Sequence, residues 1–174
     1  MRILVIGPTG ASKGTQSKFI SKLLKLKHIE PGALIRKKAK KDKYIRSFLN
    51  KGRLLPNKIV INIVRKHLKK DNFILDGFPR TMVQAKAFKF KPDLVIFLNT
   101  NKKNCIKRLL KRKRFDDNLE NIKKRYNLYL KRTVPVINYY RKMRYFHEVN
   151  GNPPIKVVNK DIKKVLIRFS KFDN

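Results

Sequence analysis

Acidic side chains, cysteine and long apolar runs are all scarce in this chain, and each scarcity excludes a class of protein. The single cysteine in 174 residues, Cys105, rules out an internal disulfide and fits a reducing, cytoplasmic setting. No apolar stretch approaches the roughly 20 residues that span a bilayer, and the first residues read as a strand rather than a signal peptide. The three histidines, His28, His67 and His147, show no metal-ligand spacing, which leaves them packing or surface roles. Repeats and Ser/Gly-rich linkers are absent, so one domain over residues 1–174 is expected. The sharpest shortage is of negative charge: 11 Asp and Glu stand against 46 Lys and Arg, a formal charge of +35. That balance invites a nucleic-acid reading. A hydrophobic fraction of 41% excludes a basic disordered tail, however, and the cations are spread along the chain with no aromatic-interleaved RNA signature. Non-specific, salt-sensitive attraction to polyanions is what the charge alone predicts.

Short apolar runs at Ile3 to Ile6, Phe73 to Leu75 and Leu94 to Leu98 are bounded by breakers and rich in β-branched residues. Such runs predict strands buried on both faces, as in a parallel sheet. Helical stripes lie between them: Phe19, Ile20, Leu23 and Leu24 after Gly14, then Ile59, Val60, Ile63, Val64 and Leu68 after Pro56, with Asn57 as the expected N-cap. Alternating strands and amphipathic helices predict an α/β sandwich of right-handed βαβ units. Further on, Lys102 to Lys113 reads as a basic helix, and Asp117 with Glu120 has capping-box spacing for another. Pro135 is expected to kink or end that helix, Tyr145 to Val149 to form a last strand, and Ile162, Val165, Leu166 and Phe169 to mark a closing helix.

The segment Gly7-Pro8-Thr9-Gly10-Ala11-Ser12-Lys13-Gly14-Thr15 follows the first strand and opens a helix. Glycines let a backbone wrap closely around an anion, and a helix N-terminus adds its positive end. Lys13 is then placed for β- and γ-phosphates, and Thr15 for a magnesium shell. Ser12 stands where this pattern has its penultimate glycine. A positive φ there would cost a serine on the order of 1 kcal/mol; an ordinary φ would leave its hydroxyl for a phosphate. The stretch Phe73 to Thr81, followed by Gln84, puts Asp76 and Arg80 just past a buried strand, where open α/β sheets hold ligands. A lone carboxylate at such a strand end needs a partner.

With these two segments and the pattern Arg114, Asp116, Asp117, Arg125, the chain resembles the adenylate kinase group of nucleoside monophosphate kinases. Tyr129, Thr133, Pro135, Tyr139 and Tyr140 extend the likeness to about residue 150. The resemblance implies a three-layer P-loop NTPase-type α/β sandwich with a central parallel sheet of about five strands, an acceptor-binding arm at about 28–69 and a truncated lid at about 108–116. It implies that Gly10, Ala11, Ser12, Lys13, Gly14 and Thr15 hold the ATP phosphates, with Arg108 and Arg112 at the lid base. Arg36, next to Gly32, and Arg80 would bind the acceptor's phosphate, while Arg53, Leu54, Leu55 and Gly77 would line the acceptor site. Gln84 resembles the family's adenine-reading glutamine, and an amide does match adenine's adjacent donor and acceptor edge. Arg114 and Arg125 would grip the transferring phosphoryl group; Asp76 and Thr15 would hold Mg2+, Asp76 through water, with no zinc. The implied activity is reversible transfer from ATP to AMP by a monomer.

The likeness is incomplete. Pro31 stands where the family usually has threonine, Ala33 where it has an aspartate near the metal, and only Lys113 separates Arg112 from Arg114. Pro31 keeps a CMP, UMP or dTMP kinase as an alternative, and so short a lid predicts poor exclusion of water and futile ATP hydrolysis. A reading of another class is a catalytically weak relative that binds RNA or DNA through its basic surface. Asp116, Asp117 and Glu120 have helix capping as their ordinary role, solvated surface is the default for arginines in a basic run, and Cys105 reads as a small buried apolar residue.

Overall fold

The computed structural model describes residues 1–68, 71–88, 90–112 and 114–172. In chain order the elements are β1 (Arg2–Ile6), α1 (Lys13–Leu24), β2 (Lys27–Ile29), α2 (Pro31–Ala39), α3 (Lys43–Asn50), α4 (Asn57–His67), β3 (Phe73–Asp76), α5 (Met82–Lys86), β4 (Leu94–Asn99), α6 (Lys102–Arg112), α7 (Leu119–Leu128), a π-helical turn (Tyr129–Thr133), α8 (Val134–Arg141), β5 (Phe146–Asn150) and α9 (Ile155–Phe172).

The apolar runs become the three central strands. Among the described residues the sheet has five strands in the order β2-β3-β1-β4-β5, and every pairing is parallel. Side chains alternate across a strand, and the two faces of β1 show it: Leu4 and Ile6 join one core, Ile3 and Val5 the other. The first core takes Leu75 and Phe97 from the sheet and covers them with Ala39 of α2, Ile45 of α3, Val64 of α4 and Ile137 of α8. The second takes Ile74 and Ile96 and covers them with Ile20 of α1 and Ile162 of α9. Helices on both faces of a parallel sheet make the expected three-layer α/β sandwich.

Several local expectations need correcting. Asn57 does not cap α4; it is the first helical residue, behind Pro56. Its side-chain oxygen is taken by Thr81 Oγ1 and Gln84 Nε2. Asp117 and Glu120 form no capping box, because Asn118 caps α7 by accepting from Asn121 N. Glu120 pairs instead with exposed Lys124, one turn on. The long helix breaks before Pro135: the chain passes from α7 through the π-helical turn, and Pro135 sits in the first turn of α8, where its missing N–H costs nothing. The last strand runs one residue later than expected. Lys69, at the end of the expected arm, and Lys113, in the expected lid, lie outside the described residues.

Candidate functional site

The carboxyl ends of β1 and β3, the start of α1, the β2–α2 junction and the ends of α6 and α7 surround one cavity of about 550 Å³. Of the site residues expected from the sequence, all but one line it. Ala11 is the exception; it is buried in the turn beneath, its N–H bonded to Pro8 O at 3.2 Å.

The loop is shaped by what lies under it. Gly10 has φ +95° and rests on α6, where a Cβ would stand 2.6 Å from the carbonyl oxygen of Cys105. No other residue fits that approach. Cys105 is buried there, and desolvation pushes its thiol up to about 11, so it stays protonated. Ser12 adopts φ 62° and ψ 23°, the left-handed region, and its hydroxyl makes no capping bond. The strained alternative is therefore the one adopted at residue 12.

Lys13 is held by the loop itself, donating to Gly7 O at 3.0 Å and Pro8 O at 2.7 Å. Burial, then the neighbouring Arg80 cation, lowers its ammonium from 10.5 to about 8. Carbonyl dipoles fix it there without cancelling its charge, and an incoming phosphate would draw its proton affinity back up. Arg80 is held in the same manner: its Nε donates to Gly77 O at 2.9 Å, its N–H to Gln84 Oε1, and its carbonyl accepts from Thr133 Oγ1 of the π-helical turn. Desolvation lowers its affinity for a proton, ahead of the opposing pull of Asp76. Arg108 reaches across to the loop after β5 and donates to the carbonyls of Gly151, Asn152 and Pro153. That loop was not legible as part of the site.

Three further arginines meet carboxylates. Arg112 forms a two-pronged pair with Asp117, at 2.7 and 2.8 Å. Arg125 donates to Asp116 Oδ2 at 3.1 Å and to Asp117 Oδ1 at 2.7 Å. Burial pushes Asp117 upward, but the hydrogen bonds from Arg112 and Arg125 outweigh it and hold the carboxyl below its ordinary value of 3.8. Asp116 and Asp117 are thus clamps for arginines, not helix caps. Arg36 donates to Glu30 Oε1 at 2.6 Å. Among the described residues the Arg114 guanidinium has no hydrogen-bond partner; burial, then the charges of Arg36 and Arg112, lower its proton affinity.

Asp76 is buried, with its Oδ2 3.2 Å from His28 Nε2, so an Nε2–H tautomer supplies the partner the sequence demanded. His28 is thereby corrected from a packing or surface residue to a contact of the site. The same Asp76 oxygen stands 3.3 Å from where a Cβ on Gly14 would be, at the lip of the phosphate loop. Thr15, one residue on, is exposed to the cavity. Gln84 is buried, with its Oε1 on Arg80 N at 2.8 Å and its Nε2 on Asn57 at 3.1 Å. One N–H and one lone pair of that amide remain for a ligand. Among the described residues no three or more His, Cys, Asp or Glu side chains gather to hold a metal ion, and no helix is long and apolar enough to cross a membrane.

The adenylate kinase family profile matches residues 5–145. An adenylate kinase of Prochlorococcus marinus (strain MIT 9515) is 37% identical over 93% of this chain and 96% of its own length. One of Encephalitozoon cuniculi is also 37% identical, over 94% and 96%. A UMP-CMP kinase 1 of Oryza sativa subsp. japonica is 30% identical over 97% of this chain and 74% of its own length. Phosphate loop, converging cations and buried strand-end carboxylate thus stand in a chain that belongs to the adenylate kinase family and is an ATP-dependent nucleoside monophosphate kinase.

Proposed function

We propose that the enzyme transfers the terminal phosphoryl group of ATP reversibly to AMP. The observation that carries this choice of acceptor is Gln84, whose buried amide lines the cavity beside Arg36 and Arg80 with one donor and one acceptor position left over. Adenine offers the complementary pair on one edge, its amino group beside a ring nitrogen. Phosphoryl transfer asks little of a protein beyond in-line alignment and neutralisation of charge. Lys13 and the backbone from Gly10 to Thr15 hold the donor phosphates, with Arg108 and Arg112 beside them. Arg36 and Arg80 take the acceptor's phosphate, Gly32, Arg53, Leu54, Leu55 and Gly77 line its seat, and Arg114 and Arg125 flank the group in transit.

Magnesium fits the oxygen donors at the loop. Asp76 presents a buried carboxylate at the lip of the loop and Thr15 an exposed hydroxyl, and hard oxygen donors of this kind, with substrate phosphates, suit a hard cation. When bound, the ion would neutralise phosphate charge and align the oxygens. Residues 1–174 act as one domain, with an arm at about 28–69 and a short lid at about 108–116 that close over the nucleotides. Donor and acceptor residues line a single cavity, which supports a monomer as the working unit. The cytoplasm, with its ATP and reducing conditions, suits an enzyme with a free cysteine.

Initial rates with ATP and AMP, CMP, UMP, GMP or dTMP test the acceptor. AMP is expected to be the best acceptor, and Gln84→Ala to raise the KM for AMP about tenfold while leaving that for ATP unchanged. A preference for CMP or UMP that survives the substitution would overturn the assignment to AMP.

A further inference from the structure

Glu30 caps nothing. It precedes Pro31 at the start of α2, yet its side chain makes no capping bond to its own helix. The carboxylate turns instead into the cavity and takes Arg36 Nη2 at 2.6 Å. Its surroundings are fixed by two glycines. A Cβ on Gly32 would stand 3.2 Å from Arg36 Nη1, 3.7 Å from Arg80 Nη2 and 3.7 Å from Glu30 Oε1, so the three charged groups converge there. The other carboxylate oxygen, Oε2, lies 3.9 Å from the Cβ position of Gly14, on the phosphate-loop side. A negative group thus lies between the two arginines and the loop.

We infer that Glu30 is a resident competitor for the acceptor's phosphate, seated on Arg36 and displaced each time a nucleoside monophosphate binds. The inference rests on the reading of Arg36 as an acceptor-phosphate residue. A carboxylate and a phosphate monoester are bound by the same guanidinium fork, and one fork end cannot serve both at full strength. Their like charges repel at such range. Glu30 and Arg36 each leave about a quarter of their side chains exposed, 24% and 23%, so the pair is weak enough to exchange. The device lowers acceptor affinity and leaves the ATP side alone. It also favours a dianionic phosphate over weaker anions for the same seat.

Calorimetric titration of the full chain with AMP, in parallel with CMP, and with a non-hydrolysable ATP analogue with and without magnesium tests this. Wild type is compared with Glu30→Gln, Glu30→Ala and Arg36→Ala. Both Glu30 variants are expected to bind the monophosphate about fivefold more tightly, the size of a part-exposed ion pair. Unchanged binding of the ATP analogue shows that they are folded, and Arg36→Ala weakens monophosphate binding. Monophosphate affinity unchanged or reduced in the Glu30 variants, with Arg36→Ala still weakening it, overturns the competitor role and leaves the acceptor site standing. Loss of ATP-analogue affinity in the Glu30 variants only when magnesium is present would assign Glu30 to the metal side and also overturn it. Arg36→Ala without effect would sink the acceptor-site reading and the competitor with it.

Discussion

The cavity has two walls that hold their cations in different ways. On the phosphate-loop side, Lys13 leans on the carbonyls of Gly7 and Pro8, Arg80 on that of Gly77 and Arg108 on those after β5. On the side of α6 and α7, Arg112 and Arg125 share Asp117, and Arg125 also takes Asp116. A carbonyl positions a cation and leaves its charge whole, whereas a carboxylate positions it and cancels it. The first wall is therefore a standing positive field, built at the cost of desolvating Lys13 and Arg80. The second is a structural clamp in which the acid matters as much as the base. In a chain with 11 acids, Asp76, Asp116, Asp117 and Glu30 all serve this one site.

The largest effect is expected on the first wall. Arg80→Ala should lower kcat by about a hundredfold to a thousandfold, the scale for removing one charge-stabilising group from a transfer site, with little loss of melting temperature. Rapid-quench kinetics and calorimetry read the two quantities, and a variant that melts well below wild type while keeping its rate would reverse the assignment of the walls. On the second wall the weighting inverts. Asp117 has a fully covered side chain and holds two arginines, so Asp117→Asn should cost about 2 kcal/mol of stability in urea titrations at pH 7. Its depressed carboxyl fixes the pH dependence. The contribution is complete above the ordinary value of 3.8 and fades as pH falls through the lower native value, so wild type and variant converge only in strong acid. Equal stability at pH 7 would mean that Asp117 clamps nothing.

The smallest effect belongs to the loop backbone. Ser12 at φ 62° bears the strain that a glycine avoids, so Ser12→Gly should raise stability by about 1 kcal/mol and tighten ATP binding. A rise in melting temperature with no gain in affinity would separate the strain from nucleotide binding.

The sheet centre was legible because strands buried on both faces must be continuous apolar runs, and β1, β3 and β4 are. The edge strand β2 was not: three residues, Lys27, His28 and Ile29, carry too short a pattern. Phosphate loop and Asp76 were legible from their places at strand ends. The partners were not, since hydrogen bonds such as His28 to Asp76 and Arg108 to Gly151 join residues 48 and 43 positions apart. Asn57 and Asp117 both looked like caps because local spacing offers that use, and tertiary partners outbid it. Glu30 left one readable trace: an acid just before Pro31 and Gly32, six residues ahead of Arg36.

Phosphorus NMR of ATP, AMP and magnesium, with the wild-type enzyme and with Lys13→Ala, reads phosphoryl transfer and its dependence on the loop lysine in one experiment. Wild type should convert both nucleotides to ADP, and Lys13→Ala, folded and at least as heat-stable, should make essentially none. ADP formed by Lys13→Ala at the wild-type rate, or wild type that releases inorganic phosphate while AMP stays untouched, would contradict that expectation.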